Sequence, residues 1–215
     1  MIIVVDYGMG NLRSVSKALE SLGASVRVTN DPNEVAAASK VILPGVGAFG
    51  AAMDELTKRK LIAPVKAAIA SGKPYLGICL GLQLLFEHSE EGDVAGLGVL
   101  RGTVKRFDFT SHLTPHTSHL KIPHMGWNQV TRSGKSEVGS RKECPLLDGV
   151  PDGSYFYFVH SYYGEPQDRT MVALETEYGT RFTSMIWKGR LYATQFHPEK
   201  SQSVGLKLLK NFIEV

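Results

Sequence analysis

An α/β fold built on a mostly parallel sheet is what this sequence predicts, and three observations carry the prediction. Between residues 2 and 78 short apolar runs alternate with stretches of helical periodicity, and a parallel neighbour is reached only through such a crossover. From Val99 to Tyr192 the pattern changes to β-rich pieces separated by polar breaks, which reads as an additional, mostly antiparallel region. Residues 201–213 return to a helical period and close the chain.

The elements follow in order. Ile2 to Val5 is a strand, Leu12 to Leu22 an amphipathic helix and Ser25 to Val28 a second strand. Asp31-Pro32-Asn33-Glu34 is a helix start, with an N-cap, proline at the first helical position and an acid in the first turn. Val41 to Leu43 is a strand, and helices are expected over Ala48 to Thr57 and Leu61 to Ser71. Pro74 to Ile78 reads as a buried strand that runs into a helix from Leu80 to Phe86. Strands are then expected at Gly102 to Phe107, Gly126 to Thr131, Tyr155 to His160, Met171 to Glu175, Phe182 to Trp187 and Leu191 to Phe196. The last helix spans Ser201 to Ile213, with Ser201 as its N-cap. The polar segment from Arg132 to Pro145 is expected to be an exposed loop. No linker rich in Pro, Gly or Ser divides the chain, so residues 1–215 are expected to form one domain.

Composition narrows the function. A net charge of +3, scattered along the chain, gives no basis for nucleic-acid binding. No apolar run approaches the ~20 residues of a membrane span, and Met1 to Asp6 lacks the basic start of a signal peptide. Of two cysteines, Cys144 stands alone in a polar segment, so no disulfide framework is expected and a reducing cytoplasm fits. His112, His116, His119 and His124 invite a metal site. No Cys or carboxylate completes the set and prolines interrupt it, so no metal is expected.

Two motifs carry chemistry. In Gly77-Ile78-Cys79-Leu80-Gly81 the thiol sits on a strand-to-helix turn, and the flanking glycines let the backbone bend there without Cβ clashes. Cys79 alone would read as an inert small hydrophobe; the glycines reverse that reading. A helix start favours negative charge on the sulfur, and Leu80 N–H is placed to meet an oxyanion. In Gln195-Phe196-His197-Pro198-Glu199 a histidine and a carboxylate leave a strand end together, and proline stops the ladder. Such a pair supplies a base and the group that orients it.

These residues, with Gln83, resemble the Cys-His-Glu triad of the class I glutamine amidotransferases. Asp6-Tyr7-Gly8-Met9-Gly10-Asn11, Pro44-Gly45-Val46-Gly47, Pro123-His124-Met125-Gly126-Trp127-Asn128 and Phe158-Val159-His160-Ser161-Tyr162-Tyr163 are similar to one subfamily, the glutaminase subunits of imidazole glycerol phosphate synthase. The resemblance covers essentially the whole chain. It implies a flavodoxin-like class I amidotransferase domain over residues 1–215. It also implies a Cys79 nucleophile, a His197 base oriented by Glu199, and glutamine held by Gly45, Gln83, Ser161 and Tyr162. The oxyanion hole would combine Leu80 N–H with that of Val46 or Gly47. No cofactor is implied. The partner would be a (βα)8-barrel cyclase, met by Asn11, Trp127, Tyr157 and Lys200, and glutaminase activity would be low until that partner binds its own ligand. Amidotransferase subunits for anthranilate, aminodeoxychorismate or pyridoxal phosphate share the triad but not the Asp6–Asn11 and Pro123–Asn128 patterns. A stand-alone γ-glutamyl hydrolase would need no partner, and a non-catalytic binding protein would be expected to lack part of the triad.

Overall fold

A computed structural model describes residues 1–109, 120–133 and 143–215. The first part runs β1 (Ile2–Val5), α1 (Leu12–Ser21), β2 (Val26–Thr29), α2 (Pro32–Ala37), β3 (Lys40–Gly45), α3 (Phe49–Lys58), α4 (Ile62–Ala70) and β4 (Tyr75–Cys79). The caps read from sequence are made. Asp31 accepts from Asn33 N–H at 2.8 Å with Pro32 at the first helical position, and Asn11 accepts from Ser14 N–H at 3.3 Å to start α1.

The remainder is α5 (Leu80–Gln83), β5 (Phe86–Ser89), β6 (Val94–Ala95), β7 (Leu100–Arg106), β8 (His124–Gln129), β9 (Thr131–Arg132), β10 (Tyr155–His160), β11 (Tyr162–Pro166), β12 (Val172–Glu177), β13 (Arg181–Lys188), β14 (Leu191–Thr194) and α6 (Gln202–Glu214). The main sheet has the order β2-β1-β3-β4-β14-β13-β12-β9. Its first five strands are parallel and its last three antiparallel. A two-stranded ribbon, β10-β8, and a four-stranded sheet, β11-β7-β5-β6, complete the β structure.

Strands β1, β3 and β4 bury both faces, which explains their unbroken apolar sequences. Ile3, Val5, Val41, Leu43 and Tyr75 pack with Val35, Phe49, Leu56 and Val65 of α2, α3 and α4. Ile2, Val4, Ile42, Leu76 and Ile78 pack on the other face with Val15 and Leu19 of α1 and Leu208, Leu209 and Phe212 of α6. The sheet is thereby clamped, and the carboxyl ends of β3, β4 and β14 become a rigid platform, the edge at which open α/β sheets hold ligands.

The structure departs from the sequence reading in five places. The helix expected over Leu80 to Phe86 stops at Gln83, and Phe86 opens β5 beside β7 instead. Strands β5, β6 and β11 were not expected; each is short or carries charged or glycine residues that blur a two-residue alternation. Ser201 precedes α6 but makes no side-chain cap; its hydroxyl donates to His197 O at 2.6 Å and accepts from Tyr157 N–H at 3.0 Å. Cys144 lies buried in the second apolar cluster despite its polar sequence surroundings, and burial pushes its thiol up to about 12. Of the loop expected from Arg132 to Pro145, Arg132 belongs to β9 and Pro145 opens a 3-10 turn; 134–142 lie outside the described residues. No helix among the described residues is long and apolar enough to cross a membrane.

Candidate active site

Cys79 is the last residue of β4, registered against Gly45 of β3 on one side, while Thr194 of β14 pairs with Ile78 on the other. Its backbone takes φ 56° and ψ −108°, a conformation that residues with a Cβ rarely adopt and that holds its side chain at a sharp turn. The flanking glycines serve a different purpose from the one their spacing suggests. Neither Gly77 nor Gly81 has a positive φ. A Cβ on Gly81 would stand 1.9 Å from Leu43 O, and one on Gly77 would stand 2.5 Å from Gly81 O. The glycines let α5 sit directly on β3, and Cys79 itself bears the strain.

His197 follows β14 by three residues, at the same edge. Its Nδ1 meets Glu199 Oε1 at 2.8 Å, with both side chains almost fully buried. Burial alone would lower the pKa of this imidazole. The charge of a Cys79 thiolate and its hydrogen bond, then the bond and charge of Glu199, outweigh burial and raise it to about 10. Nε2 makes no hydrogen bond of ordinary geometry among the described residues, leaving it available toward the sulfur and whatever binds there. In its thiol form the sulfur donates to Val159 O at 3.8 Å, and as thiol or thiolate it accepts from Gln195 Nε2 at 3.7 Å. With only four residues in α5 the helix dipole at Cys79 is small, but Leu80 N–H is among first-turn amides that have no intrahelical acceptor.

A pocket of about 280 Å³ opens beside the sulfur. Val46, Gly47, Leu80, Gln83, Ser161 and Tyr162 line it. Gly45 lies beneath, where a Cβ would meet Tyr7 Oη at 2.3 Å and Leu80 Cβ at 2.9 Å. Gly47 takes φ +97°, a region open to glycine. Gln83 is buried, and its Nε2 donates to Tyr162 O at 2.8 Å and to Gln195 Oε1 at 3.1 Å. The sequence reading missed Glu91 and His160, which also face this pocket. Glu91 comes from the turn between β5 and β6, and its Oε2 accepts from Phe49 N–H at 3.0 Å. No local motif marks Glu91, and the Phe158–Tyr163 motif that contains His160 gives that residue no role of its own.

Three of the residues expected at a partner surface come together. The Trp127 and Tyr157 rings are 6.1 Å apart, and Lys200 Nζ stands 5.7 Å from the centre of the Tyr157 ring. Trp127 is 47% exposed, alongside exposed Met125 and Tyr155 on the same ribbon. Asn11 caps the start of α1, where neighbouring Gly10 packs on Pro44. His112, His116 and His119 lie outside the described residues; among the described residues no group of three His, Cys, Asp or Glu is placed to hold a metal ion.

The model of the glutamine amidotransferase class-I family matches residues 3–215. A protein of Aromatoleum aromaticum named imidazole glycerol phosphate synthase subunit HisH is 53% identical over 99% of this chain and 97% of its own. One of the same name from Dechloromonas aromatica is 54% identical over 99% and 95%. Among solved structures, PurLQS from Thermotoga maritima matches with a TM-score of 0.68 at 19% identity, covering 99% of this chain and 97% of that one. The glutaminase domain of Trypanosoma brucei CTPS with bound acivicin matches with a TM-score of 0.62 at 14% identity, over 99% and 93%. These two likenesses speak to the fold.

Proposed function

Because the chain belongs to the class-I glutamine amidotransferase family, we propose that it is the glutaminase subunit of an imidazole glycerol phosphate synthase. It releases ammonia from glutamine for a cyclase subunit in histidine biosynthesis. Residues 1–215 act as one amidotransferase domain, in the cytoplasm. The observation that carries this reading is the strained Cys79 at the end of β4, set against a His197 that Glu199 anchors through Nδ1.

The geometry supports a thioester route. Glutamine enters the pocket with its side-chain amide at the sulfur, and Glu91 offers a carboxylate for its α-ammonium group. The Cys79 thiolate adds to the amide carbon, and Leu80 N–H with Val46 or Gly47 N–H takes the oxyanion. The imidazolium, stabilised by Glu199, gives its proton to the leaving nitrogen; the C–N bond breaks and ammonia departs. Neutral His197 then deprotonates a water that attacks the thioester, and glutamate leaves as the thiolate is restored. Gly45, Gln83, Ser161 and Tyr162 shape the pocket around the glutamine. The chain requires no cofactor for these steps.

Ammonia released into neutral water becomes ammonium, which is no nucleophile, so direct transfer to a partner has a chemical reason. The partner is a (βα)8-barrel cyclase that seats on Trp127, Tyr157 and Lys200, with Asn11 at its margin. The exposed Met125, Trp127 and Tyr155 support an apolar contact there. The test is glutamate release from glutamine by the chain with and without a cyclase subunit carrying its ribonucleotide ligand. Strong release only with the liganded partner is expected; equal release by the chain alone would move the assignment to an independent glutaminase.

A further inference from the structure

Two histidines that the proposed reaction does not use stand behind the glutamine pocket. His160 Nδ1 lies 2.8 Å from Tyr162 O, and His160 Nε2 lies 3.0 Å from His124 Nδ1. His124 Nε2 in turn lies 3.3 Å from Asn128 Nδ2. We infer that His160, backed by His124, is a positioning residue for the glutamine pocket, because it holds the Tyr162 carbonyl to which the Gln83–Gln195–Cys79 hydrogen-bond chain is tied.

The proton positions follow from the partners. A carbonyl only accepts, so His160 Nδ1 carries the hydrogen and, in the neutral ring, Nε2 is a lone pair. One hydrogen fits between the two rings, so His124 Nδ1 supplies it and His124 Nε2 is left as an acceptor. Asn128 meets that demand with the correct end. Its Oδ1 accepts from Gln129 N–H at 2.8 Å and its Nδ2 also donates to Glu177 O at 3.0 Å. Every donor in this arm therefore points toward Tyr162.

The surroundings keep the rings neutral. His124 is stacked between Tyr178 and Phe158, with ring centres 3.9 and 4.9 Å away. His160 lies 5.1 Å from Phe182 and 5.2 Å from Phe107. Burial lowers His124 to about 4. Burial and the charges of His124 and His197, offset by the bond to Tyr162, lower His160 to about 3.

The second arm starts at the same carbonyl. Tyr162 O also accepts from Gln83 Nε2, which donates on to Gln195 Oε1, and Gln195 Nε2 donates to the Cys79 sulfur. Both lone pairs of the Tyr162 carbonyl are thus used. Without the His160 donor this pocket wall is held from one side only, and Gln83, Gln195 and the sulfur share the slack. Tyr162 and Gln83 line the pocket itself, so the loss is read in substrate binding more than in the chemical step.

The inference rests on the reading that this pocket takes glutamine. Its test compares His160→Gln, which keeps a polar atom near Nε2 but loses the donor near Nδ1, with His160→Asn, which keeps the Nδ1-like donor. With the liganded cyclase bound, His160→Gln is expected to raise KM for glutamine by about tenfold, the worth of one hydrogen bond, with a smaller change in kcat. His160→Asn is expected to recover most of that rise. Nitrogen NMR of the wild-type chain labelled at its imidazoles should show both rings neutral at pH 7 with hydrogen on Nδ1, the minority form of a free imidazole. An unchanged KM in His160→Gln, an equal loss in His160→Asn, or hydrogen on Nε2 of either ring overturns the inference. If wild type with its liganded partner releases no glutamate, the glutamine reading fails. The nitrogen shifts still decide whether the hydrogen-bond chain exists, and they need no variant to fold.

Discussion

His197 and the His124–His160 pair are all buried imidazoles, and their difference lies in the charges that stand beside each ring. Behind His197 Nδ1 is the Glu199 carboxylate at 2.8 Å; behind His160 Nδ1 is a backbone carbonyl at the same distance. Burial acts to discharge all three rings. Only the ring with a carboxylate on one side and a thiolate on the other resists it, and its pKa is raised to about 10. The other two titrate at about 3 and about 4 and serve as neutral donors. One residue type thus does proton transfer at the end of β14 and hydrogen-bond placement on the β8–β10 ribbon, and the charges beside the ring, the Cys79 thiolate first and then Glu199 on Nδ1, decide which.

The comparison is broken most severely at its reactive side. Cys79→Ala removes the nucleophile and is expected to lower glutamate release by on the order of 10⁴-fold or more, with the fold kept; release persisting near the wild-type rate would remove the thioester route. Glu199→Gln keeps the side-chain size but replaces the charge behind His197 with a neutral amide. A fall in kcat on the order of 10⁴-fold is expected, by analogy with triads whose carboxylate is neutralised. A matching drop in the His197 pKa, followed by proton NMR, ties the loss to that ring. If Glu199→Gln retained the elevated pKa, the carboxylate would not be what separates His197 from the other two.

How much of this was legible depended on whether the signal was local. Cys79 and His197–Glu199 each sit in a short motif at a strand end, and both strands are apolar runs that declare themselves. Parallel strands β1, β3 and β4 and their helices were equally plain, because burial on both faces leaves runs of Val, Ile and Leu. The purpose of Gly77 and Gly81 was not legible, since the atoms they must admit belong partly to β3, which is far away in sequence. The early end of α5 was hidden for a related reason: Leu84, Leu85 and Phe86 suit a helix, but pairing of β5 with β7 satisfies the backbone better. His160 lay inside a quoted motif without a role, because its partners His124 and Tyr162 meet it only through the β8–β10 register and the turn into β11.

A milder test addresses the outer face of the same ribbon. Trp127 is half-exposed, while the opposite face of β8 carries His124 into the core. Trp127→Ala is expected to weaken binding to the cyclase by roughly 30-fold, about 2 kcal/mol for an aromatic at the centre of an interface. Unfolding of the chain alone should change far less, which calorimetry and a titration with the cyclase read separately. An unchanged affinity would move the partner off this face.

The smallest effect separates the two kinds of histidine by pH. His124 and His160 have folded pKa values below the ordinary 6.5, so the unfolded chain takes up protons first as pH falls. Their contribution is present above pH 6.5 and is lost as pH falls toward 4 and 3. His197 is shifted the other way: its contribution is complete below 6.5 and is lost as pH rises through about 10. Stability measured by urea unfolding should therefore be greatest near neutrality, falling by about 2 kcal/mol between pH 6.5 and pH 5.5, since each of the two rings takes up a proton on unfolding and a tenfold difference in proton affinity is worth about 1.4 kcal/mol. Carboxylates titrate across the acid limb too, so the decisive measurement is the difference between wild type and His124→Phe, which keeps the stack on Tyr178 and Phe158 without a titrating ring. A shallower acid limb with an unaltered alkaline one assigns the loss to the neutral pair; identical limbs in both proteins would mean that the ribbon histidines are not what acid attacks.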